Sequence, residues 1–343
     1  MAISFMITSN GGVPIYKQLV QQFENKIKTG KLVPGESVPS MNELAEEVGI
    51  SRETAKKVYS ILRDRGYLEP HQGKGFYVKN PEGARRTSIL VLFDKMSIYK
   101  QSTLNAFLKG IGEETETTIL IHNKNIDLYE YYLNLNLDQF DYYVVTPHFD
   151  FDEETQKKMV KLTSRIPNRK LIVLDYLPSE LKGNFGAVYQ DFHNDAYYGL
   201  QQGLDKLKKA GKLRVITLKE SLYGQFVRKA VERFCSDYGI YAEYMTEPPT
   251  DINKKDVFLL INSQLDSGIS DLADNIDAKN LKVGKDVFII SYNEFPFNKV
   301  VLGGLTTIST DFVKMGELAA QMIVEKRLFK QKCDFGMIRR STF

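Results

Sequence analysis

The 343-residue chain contains no tryptophan, two cysteines, four histidines and a formal net charge of only +3. Cys235 and Cys333 stand far apart in no ligand spacing. That excludes a disulfide framework and a cysteine-built metal centre, and both read as reduced thiols of a cytoplasmic protein. The histidines form no metal-binding spacing either. Long apolar runs are missing: stretches such as Val287 to Ile290 are strand-sized, well short of the ~18 residues that span a bilayer. The opening MAISFMITSN has neither a basic segment nor a long apolar one, so it is not expected to be a secretory signal. Catalytic signatures are absent as well. The chain has no phosphate-binding GxxxxGK[ST], no GxGxxG after a strand and no GxSxG, and Gly110-Ile111-Gly112 falls inside a helical pattern. The expectation is a soluble, non-enzymatic protein with no metal, no cofactor and no membrane partner.

Hydrophobic residues make up 43% and charged residues 26%, which suits ordinary buried cores. The length suits two or three domains at the usual ~100–200 residues each. Charge is distributed unevenly. Residues 1–80 carry eleven Lys and Arg against eight Asp and Glu, which accounts for the whole excess, and the remainder is neutral. A mildly basic N-terminal module fits a polyanionic partner.

Within those eighty residues PIYKQLVQQFENKIKTG predicts a helix. Pro14 sits at its start, Gly30 at its stop, and Ile15, Leu19, Phe23 and Ile27 recur every four positions. Pro34-Gly35 makes a turn. Ser40 and Glu43 then have capping-box spacing for a short helix ending at Gly49. Ser51 caps the next helix, which buries Ala55, Val58 and Leu62 and stops near Gly66. Two short helices joined by a tight glycine-containing turn make a helix-turn-helix, whose second helix places its N-terminal residues against base edges. Arg52, Thr54, Lys56 and Lys57 occupy its first two turns. Ser51 and the free N–H groups there suit a phosphate oxygen, and Arg52 suits a guanine edge. Tyr67-Leu68, a Gln72-Gly73-Lys74-Gly75 tip and Phe76-Tyr77-Val78 then read as a hairpin, a wing whose tip fits an adjacent minor groove.

The stretches P14-I-Y-x-Q-L, P34-G-E-S-V-P-S-M-N-E-L-A-E-E-V-G-I-S-R-E-T, R65-G-Y-L and Q72-G-K-G-F-Y-V resemble the winged-helix domain of the GntR family of bacterial transcription regulators. The resemblance implies contacts to double-stranded operator DNA from Ser40, Asn42, Ser51, Arg52, Thr54 and Lys56, and from Gln72, Gly73 and Lys74 at the wing. Asn42 stands where the family often has arginine, and Glu53 where it has a small residue.

After a linker over 81–88, rich in Pro, Gly and Arg, residues 89–343 alternate strand and helix patterns. Strands are predicted at Ile89–Phe93, Thr118–His122, Tyr142–Thr146, Leu171–Asp175, Ala187–Gln190, Arg214–Leu218, Val257–Ile261 and Val287–Tyr292. Helices are predicted at Leu104–Glu114, from Glu153, through Tyr197–Leu207, at Gln225–Tyr238 and at Phe312–Lys326. The fold class is α/β: an N-terminal winged helix-turn-helix (1–80) followed by two lobes of doubly wound parallel sheet. Ligands of such sheets bind beyond the carboxyl ends of strands.

The pieces V188-Y-Q-D, F226-V-R-K-A, F258-L-L-I-N-S-Q, D286-V-F-I-I-S-Y-N-E and L305-T-T-I-S-T-D-F-x-x-M-G-E-L-A-A are similar to the sugar-responsive domain of LacI-type repressors and periplasmic binding proteins. That likeness implies an effector cleft with Asp191, Arg228, Asn262, Asn293 and Glu294 on one side, and Tyr99, Thr146, His148 and Asp175 on the other. Strand-end Asp191 and Asn262 equally suit helix capping, Arg228 suits a surface helix, and His148 suits a loop. Carboxylates, amides and an arginine fork match vicinal hydroxyls. Without tryptophan, Tyr99, Tyr176, Phe192 or Tyr223 must cover the apolar face of a sugar. The expected effector is a monosaccharide, a pentose or deoxyhexose such as arabinose or fucose, acting on a homodimeric repressor of carbohydrate genes. A sugar phosphate, another metabolite, or an assembly role without a small ligand are the alternatives.

Overall fold

The computed structural model describes residues 5–7, 14–71, 73–79, 86–113, 115–217, 223–261 and 267–343. The chain divides into two compact units, Met1–Thr87 and Ser88–Phe343.

In the first unit, α1 (Ile15–Lys28) buries Leu19, Val20 and Phe23. Ser40 then opens α2 (Met41–Val48) with both halves of a capping box: Glu43 N–H donates to Ser40 Oγ, and Ser40 N–H donates to Glu43 Oε2. Gly49 ends α2 at φ 71°, a left-handed turn that glycine adopts at little cost. Ser51 caps α3 (Arg52–Asp64), which buries Ala55, Val58, Tyr59 and Leu62. β1 (Leu68–His71) and β2 (Gly75–Val78) pair antiparallel, with Leu68 opposite Val78. Both ends of that pair sit in the same core as Leu19, Phe23 and Val58.

The second unit has two lobes. The first opens with β3 (Thr87–Phe93), α4 (Ile98–Ile111), β4 (Thr115–Ile121), α5 (Ile126–Asn136), β5 (Tyr142–Val145), α6 (Glu153–Thr163), β6 (Leu171–Asp175) and β7 (Gly186–Tyr189). The chain crosses over and builds α7 (Asp195–Gln201), α8 (Leu204–Leu207), β8 (Leu213–Thr217), α9 (Gly224–Tyr238), β9 (Ala242–Met245), β10 (Val257–Ile261), α10 (Ser267–Ala278), β11 (Phe288–Tyr292) and β12 (Thr306–Thr310). It returns for α11 (Phe312–Val324) and β13 (Lys330–Lys332), then crosses a third time to β14 (Phe335–Ile338). The six-stranded sheets run β13-β7-β6-β5-β3-β4 and β14-β12-β11-β10-β8-β9. Their ladders are parallel at β3–β5, β5–β6, β6–β7, β7–β13, β8–β9, β8–β10, β10–β11 and β11–β12, and antiparallel at β12–β14.

Period-two alternation decides which core each residue enters. Ile89, Val91 and Phe93 of β3 pack under α4 and α11, while Leu90 and Leu92 face the opposite layer with Tyr129, Met159 and Leu162. All five residues of β6 and of β10 are buried. Strands covered on both faces must be apolar throughout, and this explains why LIVLD and VFLLI stand out in the sequence.

Two helices differ from the sequence-based expectation. α4 starts at Ile98 rather than Leu104 because Ser97 Oγ accepts from Lys100 N–H and caps it there. The helix expected through Tyr197–Leu207 breaks at Gly203 into α7 and α8. Gly110 does lie inside α4, and Gly112 ends it.

The α4–α11 seam is tight. A Cβ on Gly316 would stand 2.2 Å from the Thr103 carbonyl oxygen and 2.9 Å from Phe107 N, both backbone atoms that cannot yield. Gly316→Ala is therefore expected to cost about 1–3 kcal/mol by overpacking, read as a shift of the denaturant midpoint. A change below 0.5 kcal/mol, the ordinary range of a surface substitution, would show that the two helices slide apart freely.

Candidate nucleic-acid interface and ligand cleft

On the first unit, Ser40, Asn42, Ser51, Arg52 and Lys56 are exposed around the N-termini of α2 and α3. Ser51 Oγ accepts from Thr54 N–H at 3.1 Å and lies 2.8 Å from Thr54 Oγ1, so these two hydroxyls hold the cap. Arg52 and Lys56 are the long cations left projecting from that end. Lys57, by contrast, lies 3.8 Å from the centroid of the Tyr16 ring and leans back on α1. Gly73 and Lys74 are exposed at the wing tip, where Lys74 N–H donates to His71 O and Gly73 has φ 75°. Gln72 lies outside the described residues. His71, which the sequence did not single out, packs its ring against Tyr77 with centroids 4.4 Å apart and lies 3.2 Å from Glu69. An alternating strand register that puts 69, 71 and 77 side by side was its available signal.

In the second unit, parallel strands deliver polar residues to one end of the first sheet. Asp94 follows β3, Thr146 and His148 follow β5, Asp175 ends β6, Gln190 follows β7, and Lys100 enters from the first turn of α4. All are buried, Lys100 at 7% exposure. Lys100 Nζ lies 3.0 Å from Asp94 Oδ1 and 2.5 Å from Asp175 Oδ2. His148 Nε2 is 3.0 Å from Asp175 Oδ2. Thr146 Oγ1 donates to Asp94 Oδ1 and accepts from Asp94 N–H. Gln190 Nε2 donates to Asp175 Oδ1, and Gln190 Oε1 accepts from Thr310 Oγ1 at 2.6 Å, tying the cluster to a strand of the other lobe.

The electrostatics follow from burial and pairing. Burial pushes the Asp94 carboxyl up, but Lys100 and His148 outweigh it and bring it down to about 2. The same contest leaves Asp175 well below the usual carboxylate range. For Lys100, burial lowers and the two carboxylates raise, with a net upward shift. The cluster is therefore an ammonium held by two carboxylates. Asp175 has φ 75°, a left-handed backbone rare for a non-glycine and common where a site over-determines geometry. Beneath it His122 is fully buried, stacked on Phe149, and burial holds it down at about 4.

From the other lobe Tyr223, just before α9, brings its Oη to 2.5 Å from His148 Nδ1. Its ring stacks on Phe192 at 4.0 Å and 14°, with Phe151, Tyr176 and Phe226 around it. Beside it lies a cavity of about 240 Å³ lined by Tyr176, Leu177, Ser179, Tyr189, Gln190, Asp191, Phe192, His193, Tyr223 and Phe226.

The structure thus gathers Thr146, His148 and Asp175 at one cluster, with Asp191 on the neighbouring cavity wall and Tyr176, Phe192 and Tyr223 forming the aromatic cover. The other expected cleft residues go elsewhere. Tyr99 stacks on Phe312 at 5.1 Å in the α4–α11 seam. Arg228 is exposed, donates to Glu232 at 2.8 Å and covers Tyr244, while Phe226, two residues earlier and so on the other side of α9, faces the cavity. Glu294 is held by both terminal nitrogens of Arg340 and accepts from Thr307, so its carboxylate serves the second lobe. Asn293, at φ 77°, donates its N–H to Ile308 O, and its buried Oδ1 has no partner among the described residues. Asn262 lies outside the described residues. Asp191 also accepts from Asn194 Nδ2 and starts the turn into α7. Asp94, Lys100 and Gln190 were not anticipated. An aspartate ending the first strand was a usable signal, whereas a lysine in a first helical turn reads as surface.

The profile of bacterial regulatory proteins of the gntR family matches residues 15–78. The chain is 32% identical over 95 residues to the HTH-type transcriptional repressor YtrA of Bacillus subtilis, covering 28% of this chain and 69% of that one. The chain belongs to the GntR family of bacterial regulatory proteins. Beyond the N-terminal unit, this GntR-family chain aligns over 91% of both lengths, at 20% identity, with the arabinose metabolism transcriptional repressor of Geobacillus stearothermophilus. Three other curated relatives are matched over only 31–40% of their own length. Among solved structures, the trehalose repressor from Escherichia coli superposes with a TM-score of 0.56 and 11% identity, over 74% of this chain and 100% of that one. That likeness places the second unit in the LacI and periplasmic-binding-protein fold. These relatives are transcription regulators. Among the described residues no helix is long and apolar enough to cross a membrane, and no three His, Cys, Asp or Glu side chains cluster for a metal ion.

Proposed function

We propose that this protein is a sequence-specific DNA-binding repressor of carbohydrate uptake or catabolism genes, controlled in the cytoplasm by a monosaccharide bound between the lobes of its second unit. Residues 1–80 read the operator, 81–88 connect, and 89–343 bind the effector. The observation that carries this reading is the union, in one chain, of a GntR helix-turn-helix with a two-lobed domain whose cavity is walled by aromatic rings, Gln190 and Asp191 and backed by a buried polar cluster. The full-length relative concerned with arabinose metabolism supports a pentose, and a deoxyhexose such as fucose has the same chemistry. Carboxylates accept from vicinal hydroxyls, and aromatic faces cover the apolar side of the ring. The cleft favours a neutral sugar over a phosphorylated one. Among the described residues lining the cavity there is no Lys or Arg, and nearby Lys100 is already neutralised by two carboxylates.

The protein acts as a homodimer. Lobe closure on the sugar alters how two subunits are held, and so the separation of two recognition helices that must match half-sites at a fixed helical spacing. A hundredfold preference of the sugar for one state shifts that equilibrium by about 2.7 kcal/mol. A gel-shift titration with a panel of monosaccharides and their phosphates tests the reading. A neutral pentose or deoxyhexose is expected to change operator affinity at least tenfold. If no sugar changes it more than twofold, sugar control is wrong; if only phosphates act, the neutral-sugar assignment is wrong.

A further inference from the structure

Tyr223 and Gln190 stand between the cavity and the buried cluster. The cavity lining includes Tyr223, Tyr176, Gln190 and Asp191 but none of Asp94, Lys100, His148 and Asp175. The lining meets that cluster at two points: the Tyr223 hydroxyl reaches His148 Nδ1 and Gln190 Nε2 donates to Asp175. Asp175 sits on His148 Nε2. Lys100 Nζ also lies 3.2 Å from that nitrogen, so Nδ1 is the ring nitrogen left facing the cleft, and the Tyr223 hydroxyl occupies it. At its other end the phenol ring lies flat against Phe192. Tyr223 thus makes the two contacts a hydroxylated six-membered ring would make here: an apolar face on Phe192 and a hydroxyl hydrogen-bonded to His148 Nδ1.

We propose that Tyr223 is an internal competitor of the effector: its phenol fills a seat for a hydroxylated ring between Phe192 and His148, and a ligand reaches His148 Nδ1 only by displacing it. This rests on the effector reading above and names the residue that selects among ligands. A ring lacking a hydroxyl at the right edge cannot replace the hydrogen bond to His148 and does not evict the phenol. Tyr223 immediately precedes α9, so a rotation of its side chain clears the seat without moving the helix.

The seat is tested in the full chain without knowledge of the effector. Tyr223→Ala leaves a phenol-shaped gap, and p-cresol should fill it. We expect p-cresol to raise the melting temperature of Y223A at millimolar concentration, with half-saturation at least tenfold below that of toluene, and to leave wild type unmoved. Adding His148→Ala should abolish the preference of cresol over toluene. No cresol effect on Y223A, or an equal effect on wild type, overturns the proposal. Tyr223→Phe, which keeps the ring and loses only the hydroxyl, guards against misfolding of Y223A. Its half-saturating concentration for L-arabinose should fall at least threefold below wild type, because the competitor is weakened. A rise shows that the hydroxyl contacts the sugar, and overturns it. If L-arabinose binds neither protein, arabinose is removed as effector, while the cresol and toluene pair still decides the seat.

Discussion

Lys100→Met is expected to lower the stability of the second unit by about 3–5 kcal/mol at neutral pH, the cost of stranding buried partner charges. Methionine matches the length and fills the volume, so the loss is electrostatic. Asp94 and Asp175 are both buried and both point at the ammonium, and His148 is a further titratable group in direct contact with Asp175. Without Lys100, each carboxylate must be neutralised or remain uncompensated. The pH dependence distinguishes this from a packing defect. In wild type the folded values of Asp94 and Asp175 lie below their ordinary ones, Asp94 at about 2. A depressed carboxylate contributes stability that is complete above its unfolded value near ~4 and is lost as pH falls through the folded value. Wild type therefore gives up the Asp94 share of this stabilisation between about pH 4 and pH 2, and the Asp175 share over a range that extends further into acid. In the variant burial raises the same groups, protonation comes earlier, and the difference between the proteins narrows towards acid. Urea unfolding at pH 7 and at pH 3.5 measures it. A deficit that is below 1 kcal/mol at pH 7, or independent of pH, would sink the account of Lys100 as the clasp of this site.

The same cluster shows which information a linear reading holds. Caps are local: Ser40 with Glu43, and Ser51 ahead of Arg52, announce helix starts three residues away, and the structure makes those hydrogen bonds. Strands buried on both faces are local as well, so Leu171–Asp175 and Val257–Ile261 have the bounds expected. Edge strands are different. β9 is half-buried throughout, and its AEYM carries no apolar run to mark it. Site residues divide along the same line. Parallel topology sends strand ends to one side of a sheet, so Thr146, His148 and Asp175 could be placed together before any coordinates. Which charge faces which is tertiary. Glu294 meets Arg340, 46 residues away, and Lys100 meets Asp175, 75 residues away, pairings that composition and period leave open. Arg228 makes the point from the other side. A helix-surface i, i+4 partner, Glu232, was visible in the sequence, and that local pair is the one it forms.

At the other unit the largest expected effect falls on Arg52. Arg52→Ala should weaken operator binding by about 1–3 kcal/mol, roughly five- to 150-fold, as for loss of a bidentate contact to a guanine edge. Arg52 is the first residue of α3, and its neighbours at that end are committed: Ser51 and Thr54 bond each other, and Lys57 lies on Tyr16. Glu53 is exposed beside it and adds a charge that phosphate repels. Arg52 and Lys56 are therefore the residues expected to carry the attraction of the helix N-terminus for DNA, and Arg52→Glu, which adds repulsion to the lost contact, should exceed a hundredfold. Salt separates the roles. A phosphate contact contributes about 0.9 to the slope of log affinity against log salt, and its loss weakens all sequences alike, whereas loss of a base contact relaxes preference at one operator position. Fluorescence anisotropy across a salt series, on the operator and on single-base variants, reads both. We expect Arg52→Ala to flatten discrimination at one base pair in each half-site, and Lys56→Ala to reduce the salt slope by about one with discrimination intact. If Arg52→Ala binds operator as wild type does, the recognition helix reads DNA with other residues, and the face assigned here is not the one that enters the groove.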